Sequence, residues 1–185
     1  MLRIEGQLGL RVTYNVLGAL LEKVRDKIEA DGHCIAFHSY DHTRFRQLPA
    51  CRKADYRIKG YRPPKSQVTL ELRDTLLCWH NFEWLMSSPK SLGIGARPQL
   101  RGRLARIPVR KDDFALYSEG MDLLKWQREA LELIERDDFV ALGMHDCYAH
   151  LWLSGYESFL QQVRKLGGIR TVDEIAADLF LAGAE

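Results

Sequence analysis

Residues Gly32–His42 read G-H-C-I-A-F-H-S-Y-D-H, a short apolar run that ends in a cluster of chemically capable side chains. Cys34-Ile35-Ala36-Phe37 has the pattern of a buried strand. His38 and His42 lie four residues apart just past its end. In a helical turn, residues i and i+4 share a face, so both imidazoles could reach one divalent ion. A surface turn with locally satisfied imidazoles is the alternative, and the strand-end position favours the metal. Two histidines alone do not complete a metal site.

The flanking sequence alternates strand and helix patterns. Leu10 to Val16 reads as a strand, and Leu17, Leu20, Leu21, Val24 and Ile28 follow at helical spacing until Gly32. Tyr56 to Tyr61 is a predicted strand closed by Pro63-Pro64. Val68, Leu72 and Leu76 give a helix face, and Phe82, Trp84 and Met86 alternate as a strand. A Gly/Pro-rich loop over Ser87 to Gly102 precedes a strand from Leu104 to Val109, which Pro108 limits to an edge or a strand end. Leu123, Trp126, Ala130 and Ile134 make a helix, Phe139 to Met144 a buried strand, and Tyr156, Phe159, Val163 and Leu166 another helix. Thr171-Val-Asp-Glu174 is a capping box for the last helix. This alternation argues for a parallel α/β sheet or barrel.

At 185 residues and 46% hydrophobic, the chain is long enough for one sizeable core. A formal charge of +2 is no signature of nucleic acid or an anionic membrane. No apolar run approaches a membrane span, so a soluble cytoplasmic protein is expected. Cys34, Cys51, Cys78 and Cys147 form no C-x-x-C pair and suggest no disulfide framework.

In parallel α/β folds the working residues lie just past the carboxyl ends of strands. Three segments meet that description: His38 to His42, Gly60 to Lys65, and Met144-His145-Asp146. His145 could also be a hydrogen-bonded core histidine, and Arg62 an ordinary loop residue. His33 lies about 16 Å from His38 at strand rise, too far to share an ion. His80 begins a strand and His150 reads as a surface residue.

At these places the chain resembles the polysaccharide deacetylase family, the metal-dependent carbohydrate esterases of family 4. Gly32–His42 is similar to E-G-H-E-I-G-N-H-S-x-x-H, and V-T-Y-N-V-L-G from Val12 to A-T-F-F-V-L-G. Gly60–Pro64 resembles R-x-P-Y, Phe82–Ser88 resembles F-x-Y-D-S-S, and Met144-His145-Asp146 resembles L-H-D. G-G-I-R-T-V-D-E-I-A from Gly167 is similar to the closing G-x-x-x-x-T-x-x-E-I-A.

The resemblance implies an irregular (β/α) barrel of the glycoside hydrolase/deacetylase type. It implies that His38 and His42 bind zinc or a similar divalent ion, whose water attacks an acyl carbonyl. The metal, with a backbone N–H near Pro64-Lys65, would stabilise the oxyanion. His145 would protonate the leaving group. Arg62 would orient the catalytic carboxylate, and an acid of the fourth motif would tune His145, with Asp113 of Asp112-Asp113 as its counterpart. Lys65, Trp84 and Tyr148, each close to one of these segments, are the expected substrate contacts.

The family's first motif, T-F-D-D-G, supplies the general base and a third metal ligand, and has no counterpart here. Before Glu22 the only acidic residue is Glu5. The expectation is therefore a single domain over 1–185, incomplete at its amino terminus and missing the first barrel strand. Lys65 replaces the third motif's tyrosine, and Ser66 its usual glycine. Arg44, Arg46, Arg52, Lys53, Arg57 and Lys59 make the next segment basic. Such a run is usually a solvated face; the sharper reading is an anionic glycan at the mouth of the site. With only Phe45 and Tyr56 interleaved, it does not suggest nucleic acid.

The leading expectation is a metal-dependent hydrolase that deacylates an N- or O-acylated sugar or polysaccharide, with an oligomer left open. The alternatives are an amidohydrolase acting on a non-sugar amide and a non-catalytic binding domain that kept the fold.

Overall fold

The computed structural model describes residues 1–43 and 47–183, so Arg44, Phe45 and Arg46 of the basic segment lie outside the described residues. Its strands are β1 (Thr13–Val16), β2 (Cys34–Phe37), β3 (Gly60–Tyr61), β4 (Trp84–Ser87), β5 (Gln99–Arg101), β6 (Leu104–Asp112) and β7 (Ala141–Gly143). Its helices are α1 (Leu2–Gln7), α2 (Leu21–Glu29), α3 (Gln47–Ala54), α4 (Asp74–Trp79), α5 (Pro89–Leu92), α6 (Phe114–Ser118), α7 (Leu123–Arg136), α8 (Ala149–Leu166) and α9 (Val172–Ala182). These elements form two compact units, one built from residues 11–108 and 170 onward, the other from residues 1–10 and 109–169.

The first is the sheet unit, with strand order β1-β2-β3-β4-β6-β5. The strands from β1 to β4, and then β6, pair in parallel, and β5 joins β6 as an antiparallel hairpin partner. Strands covered on both faces need no polar alternation. Accordingly all four β4 residues are buried, so the alternation read in the sequence is not what places this strand.

Several predicted elements change shape for identifiable reasons. The Tyr56–Tyr61 strand shrinks to Gly60–Tyr61 because the Arg52 guanidinium takes the carbonyls of Tyr56 (2.8 Å) and Ile58 (2.7 Å). The predicted helix face Val68–Leu76 breaks at Arg73, which is extended (φ −63°, ψ 146°) and bonds the Leu70 carbonyl. The loop expected over Ser87–Gly102 holds α5, capped by Ser88 with Pro89 in its first turn and closed by Gly93 at φ +65°. Pro108 lies inside β6 rather than at its end. The Ala105 N–H donates to Glu83 on the β4 side, so by alternation Pro108 would have pointed its missing N–H the other way. On that side β5 has already stopped pairing at Arg106, so the ladder loses no bond.

The helical unit takes over β6 from Val109, pairing it in parallel with β7 across a bulge between Val109 and Lys111. Its core joins Leu10, Leu116, Trp126, Trp152, Tyr156 and Phe159. The Trp126 indole donates to the Asp112 carbonyl (2.7 Å), fixing α7 against the end of β6. Tyr156 donates its hydroxyl to the buried carboxylate of Glu5 (2.6 Å). Burial, reinforced by the Glu5 charge, pushes the Tyr156 phenol far above its ordinary value.

Candidate active site

In the sheet unit the chemistry gathers where β2 and β3 end. The His38 N–H donates to the Val16 carbonyl (2.8 Å), extending the β1–β2 ladder by one residue. The backbone then turns through two left-handed residues, Ser39 (φ +65°) and His42 (φ +67°), and no helix forms over 38–43. The two rings nevertheless meet, with centroids 5.3 Å apart and planes at 57°. Helical i, i+4 spacing is thus replaced by a tight turn. Buried Ser39 accepts the His42 N–H on its hydroxyl (3.0 Å), which fixes the second left-handed residue.

Gln47, at the start of α3, holds the turn from the other side. Its Oε1 accepts the Tyr40 N–H (2.8 Å), and its Nε2 donates to Asp41 Oδ1 (3.1 Å) and Thr43 Oγ1 (2.8 Å). Hydrogen bonds from the Thr43 hydroxyl and N–H hold the Asp41 carboxyl below its ordinary range. Asp41 is therefore committed to the turn.

The Nδ1 of His38 lies 2.9 Å from the Arg62 carbonyl oxygen. A carbonyl only accepts, so Nδ1 carries the proton and Nε2 keeps its lone pair. This is the support that metal-bound histidines usually receive from a neighbouring carbonyl. Arg62 itself is buried, and its N–H donates to the Phe37 carbonyl (2.8 Å), so the backbone of this expected site residue braces His38. Lys65 and Ser66 are both left-handed (φ +53° each), a strained arrangement for two residues with side chains. Ser87 at the end of β4 donates its hydroxyl to the Ser66 carbonyl (2.9 Å) and anchors that turn. Lys65 is exposed.

Trp84 departs from its expected role as a substrate contact. It is fully buried, its Nε1 donates to Asp173 (2.5 Å), and its ring fills the space a side chain at Gly60 would occupy. With no exposed surface it can touch no substrate. Its task is to pack β3 against β4. Much of the expected basic mouth is also committed elsewhere: Arg52 sits over the Phe82 ring (3.6 Å), Arg57 pairs with Asp55 (3.0 Å), and Lys59 pairs with Glu83 (2.8 Å). His33 is buried in the strand region and accepts the Val12 N–H on Nδ1 (3.1 Å).

His38 and His42 fit a divalent ion as two imidazole ligands, one with its tautomer set. Among the described residues no group of three or more His, Cys, Asp or Glu is placed to hold a metal. The set therefore supplies two ligands of the three usual at a catalytic zinc.

The helical unit carries a second arrangement. Asp113 follows β6, His145 follows β7, and they are joined by Nδ1···Oδ1 at 2.5 Å and by the His145 N–H to Oδ2 at 2.8 Å. Trp152 donates its indole N–H to the same Oδ2 (2.8 Å). Asp113 is completely buried, while the His145 side chain keeps 31% of its surface exposed. A carboxylate accepting three donors is an acceptor throughout, so the His145 Nδ1 carries a proton and Nε2 is left for other chemistry. Trp152 gives no sequence signal for this role beyond being an apolar helix residue. The Tyr148 ring stands edge-on to His145, centroids 5.6 Å apart. Asp146 bonds the Cys147 N–H (2.9 Å) and takes no part in the pair.

No protein-family model matches the chain, and no curated protein sequence matches it. Solved structures do. Puue allantoinase aligns with a TM-score of 0.71 at 12% identity, over 95% of this chain and 69% of that one. A probable polysaccharide deacetylase from Pseudomonas aeruginosa aligns at 0.70 and 14% identity, over 95% of this chain and 70% of its own. The family 4 carbohydrate esterase from Streptomyces lividans aligns at 0.54 and 15% identity, over 89% and 78%. The chain has the (β/α) barrel fold of polysaccharide deacetylases. Among the described residues no helix is long and apolar enough to cross a membrane.

Proposed function

We propose that this chain, which has the polysaccharide deacetylase fold, is a metal-dependent hydrolase that removes an acetyl or similar acyl group from an N- or O-acylated sugar. The observation that carries the reading is the buried Asp113 carboxylate holding a partly exposed His145 by two hydrogen bonds. A structural histidine needs no such support on a ring left open to solvent, whereas a proton donor does.

Deacylation requires an activated water and a proton for the leaving group. His38 and His42 would hold a divalent ion, most simply zinc, which acidifies a bound water and polarises the acyl carbonyl. His145 would give its Nε2 proton to the departing amine or alcohol. Asp113 would stabilise the imidazolium before that transfer and fix the tautomer after it, and Trp152 holds Asp113 in place. Four free thiols fit action in a reducing compartment such as the cytoplasm.

Acetate release from an acetylated glucosamine oligomer, measured with zinc and with chelator, tests the reading. His38→Ala and His145→Ala should each abolish it, and full activity in both variants would overturn the mechanism. A second reading, hydrolysis of a non-sugar amide by the same residues, is favoured by the likeness to Puue allantoinase. Turnover of a small cyclic amide in preference to the sugar would decide for it.

A further inference from the structure

We infer that Phe114, Tyr117 and Tyr148 form a stacking platform that binds the flat face of a sugar ring beside His145, favouring ring-bearing glycans over small amides. The platform takes its chemical context from the hydrolase reading above. Phe114 and Tyr117 lie three residues apart on α6 and so share a face. Tyr117 stacks on Tyr148 with centroids 4.7 Å apart and planes at 15°. Phe114 stands 6.2 Å from each of them, and the Tyr148 ring touches His145 edge-on. The four rings are thus one contiguous set within the helical unit.

Their exposure needs an explanation. Phe114 is 49% and Tyr117 61% exposed, although the same unit buries Trp126, Trp152 and Phe159 in its core. The size of the patch selects its occupant. Three partly exposed aromatic side chains offer roughly 200–300 Å², well short of the ≈800 Å² per partner in a stable protein interface. One or two sugar rings match that area. A pyranose presents an apolar C–H face to the rings and a hydroxyl rim to the tyrosine O–H groups, which stay wet. Burial, then the nearby Cys147, Tyr117 and aspartate groups, raises the Tyr148 phenol above its ordinary value.

Binding of a pentamer of N-acetylglucosamine, measured by calorimetry with chelator present so that no turnover contributes, tests the platform. Tyr117→Ala should weaken binding about ten-fold, Phe114→Leu should weaken it several-fold, and Tyr117→Phe, which keeps the stacking face and loses one hydroxyl contact, should cost much less than Tyr117→Ala, with thermal melts confirming that each variant folds. Alanine and leucine variants that bind like the wild type would overturn the proposal, as would a wild type that does not distinguish the pentamer from acetamide. Pentamer binding that depends on Tyr117 without acetate release would instead retain the platform and remove the hydrolase reading.

Discussion

Asp113 grips His145 twice, the ring through one carboxylate oxygen (2.5 Å) and the backbone N–H through the other (2.8 Å). The grip sets both the position and the tautomer of the imidazole. Asp113→Asn must turn an amide N–H₂ toward the ring N–H on one side or toward the His145 and Trp152 donors on the other. At least one donor is then opposed, at a cost of about 1–3 kcal/mol for each. Acetate release should fall by about 10²–10⁴, and urea melts should show the lost stability. Near wild-type turnover would remove Asp113 from the mechanism.

Gln47 is not one of the proposed ligands, yet its side-chain hydrogen bonds to Tyr40, Asp41 and Thr43 hold the turn that joins His38 to His42. Gln47→Leu keeps side-chain volume and removes them all. Zinc affinity by calorimetry should drop about 10–100-fold, the range for groups that orient ligands. His38→Ala and His42→Ala should each lose more. Unchanged affinity in all three variants would place the ion elsewhere.

Gly60 is required by contact, not by its backbone angles. A Cβ there would come within 1.9 Å of the Trp84 ring, which is buried and tied to Asp173. Gly60→Ala should destabilise the sheet unit by about 3 kcal/mol or more, read as a lower denaturant midpoint. Pairing it with Trp84→Leu should recover part of that loss, and simple additivity of the two changes would contradict the clash.

Asp55 links stability to acid. Burial opposes its ionisation, but hydrogen bonds from Arg57 and an ion pair with Arg25 outweigh that and hold its carboxyl at about 2. Its folded value lies below the unfolded one of about 3.9, so the stabilisation is fully present above about pH 4 and disappears as pH falls through about 2. The amount is on the order of 2 kcal/mol. Asp55→Asn should lower stability at pH 7 by that order and flatten the acid limb between pH 4 and 2, whereas parallel curves for the two proteins would assign that limb to other groups.

The fold could be read where local signals and burial agreed. The capping box at Thr171–Glu174 forms, with both reciprocal bonds, β1 and β2 lie within their predicted segments, and β4 overlaps its own but runs on into Ser87. The reading failed where a distant side chain decided the backbone. Arg52 removes carbonyls from the β3 ladder, and both Asp74 carboxylate oxygens accept from Arg106 Nη2 (2.7 and 2.8 Å) at the start of α4. The helix α3 hides behind Pro49 and a run of basic residues, because its buried face consists only of Gln47, Leu48 and Cys51. At the site, the spacing of His38 and His42 was informative, but neither of the described left-handed residues after β2, Ser39 and His42, is a glycine, so the turn had no visible marker. The place of Asp113 came from a family resemblance, and its third donor, Trp152, lies 39 residues away in sequence.

The tie between Trp84 and Asp173 also sets an order of events during synthesis. Val172 donates its N–H to the Thr13 hydroxyl (2.8 Å), so the first turn of α9 fastens β1 as well as β4. Everything in the helical unit is translated before these residues exist. On a growing chain, residues 11–108 must wait with an unfastened sheet and an unsatisfied indole until codon 173 has been read. A fragment ending at Pro108 lacks both fastenings and should melt well below the full chain.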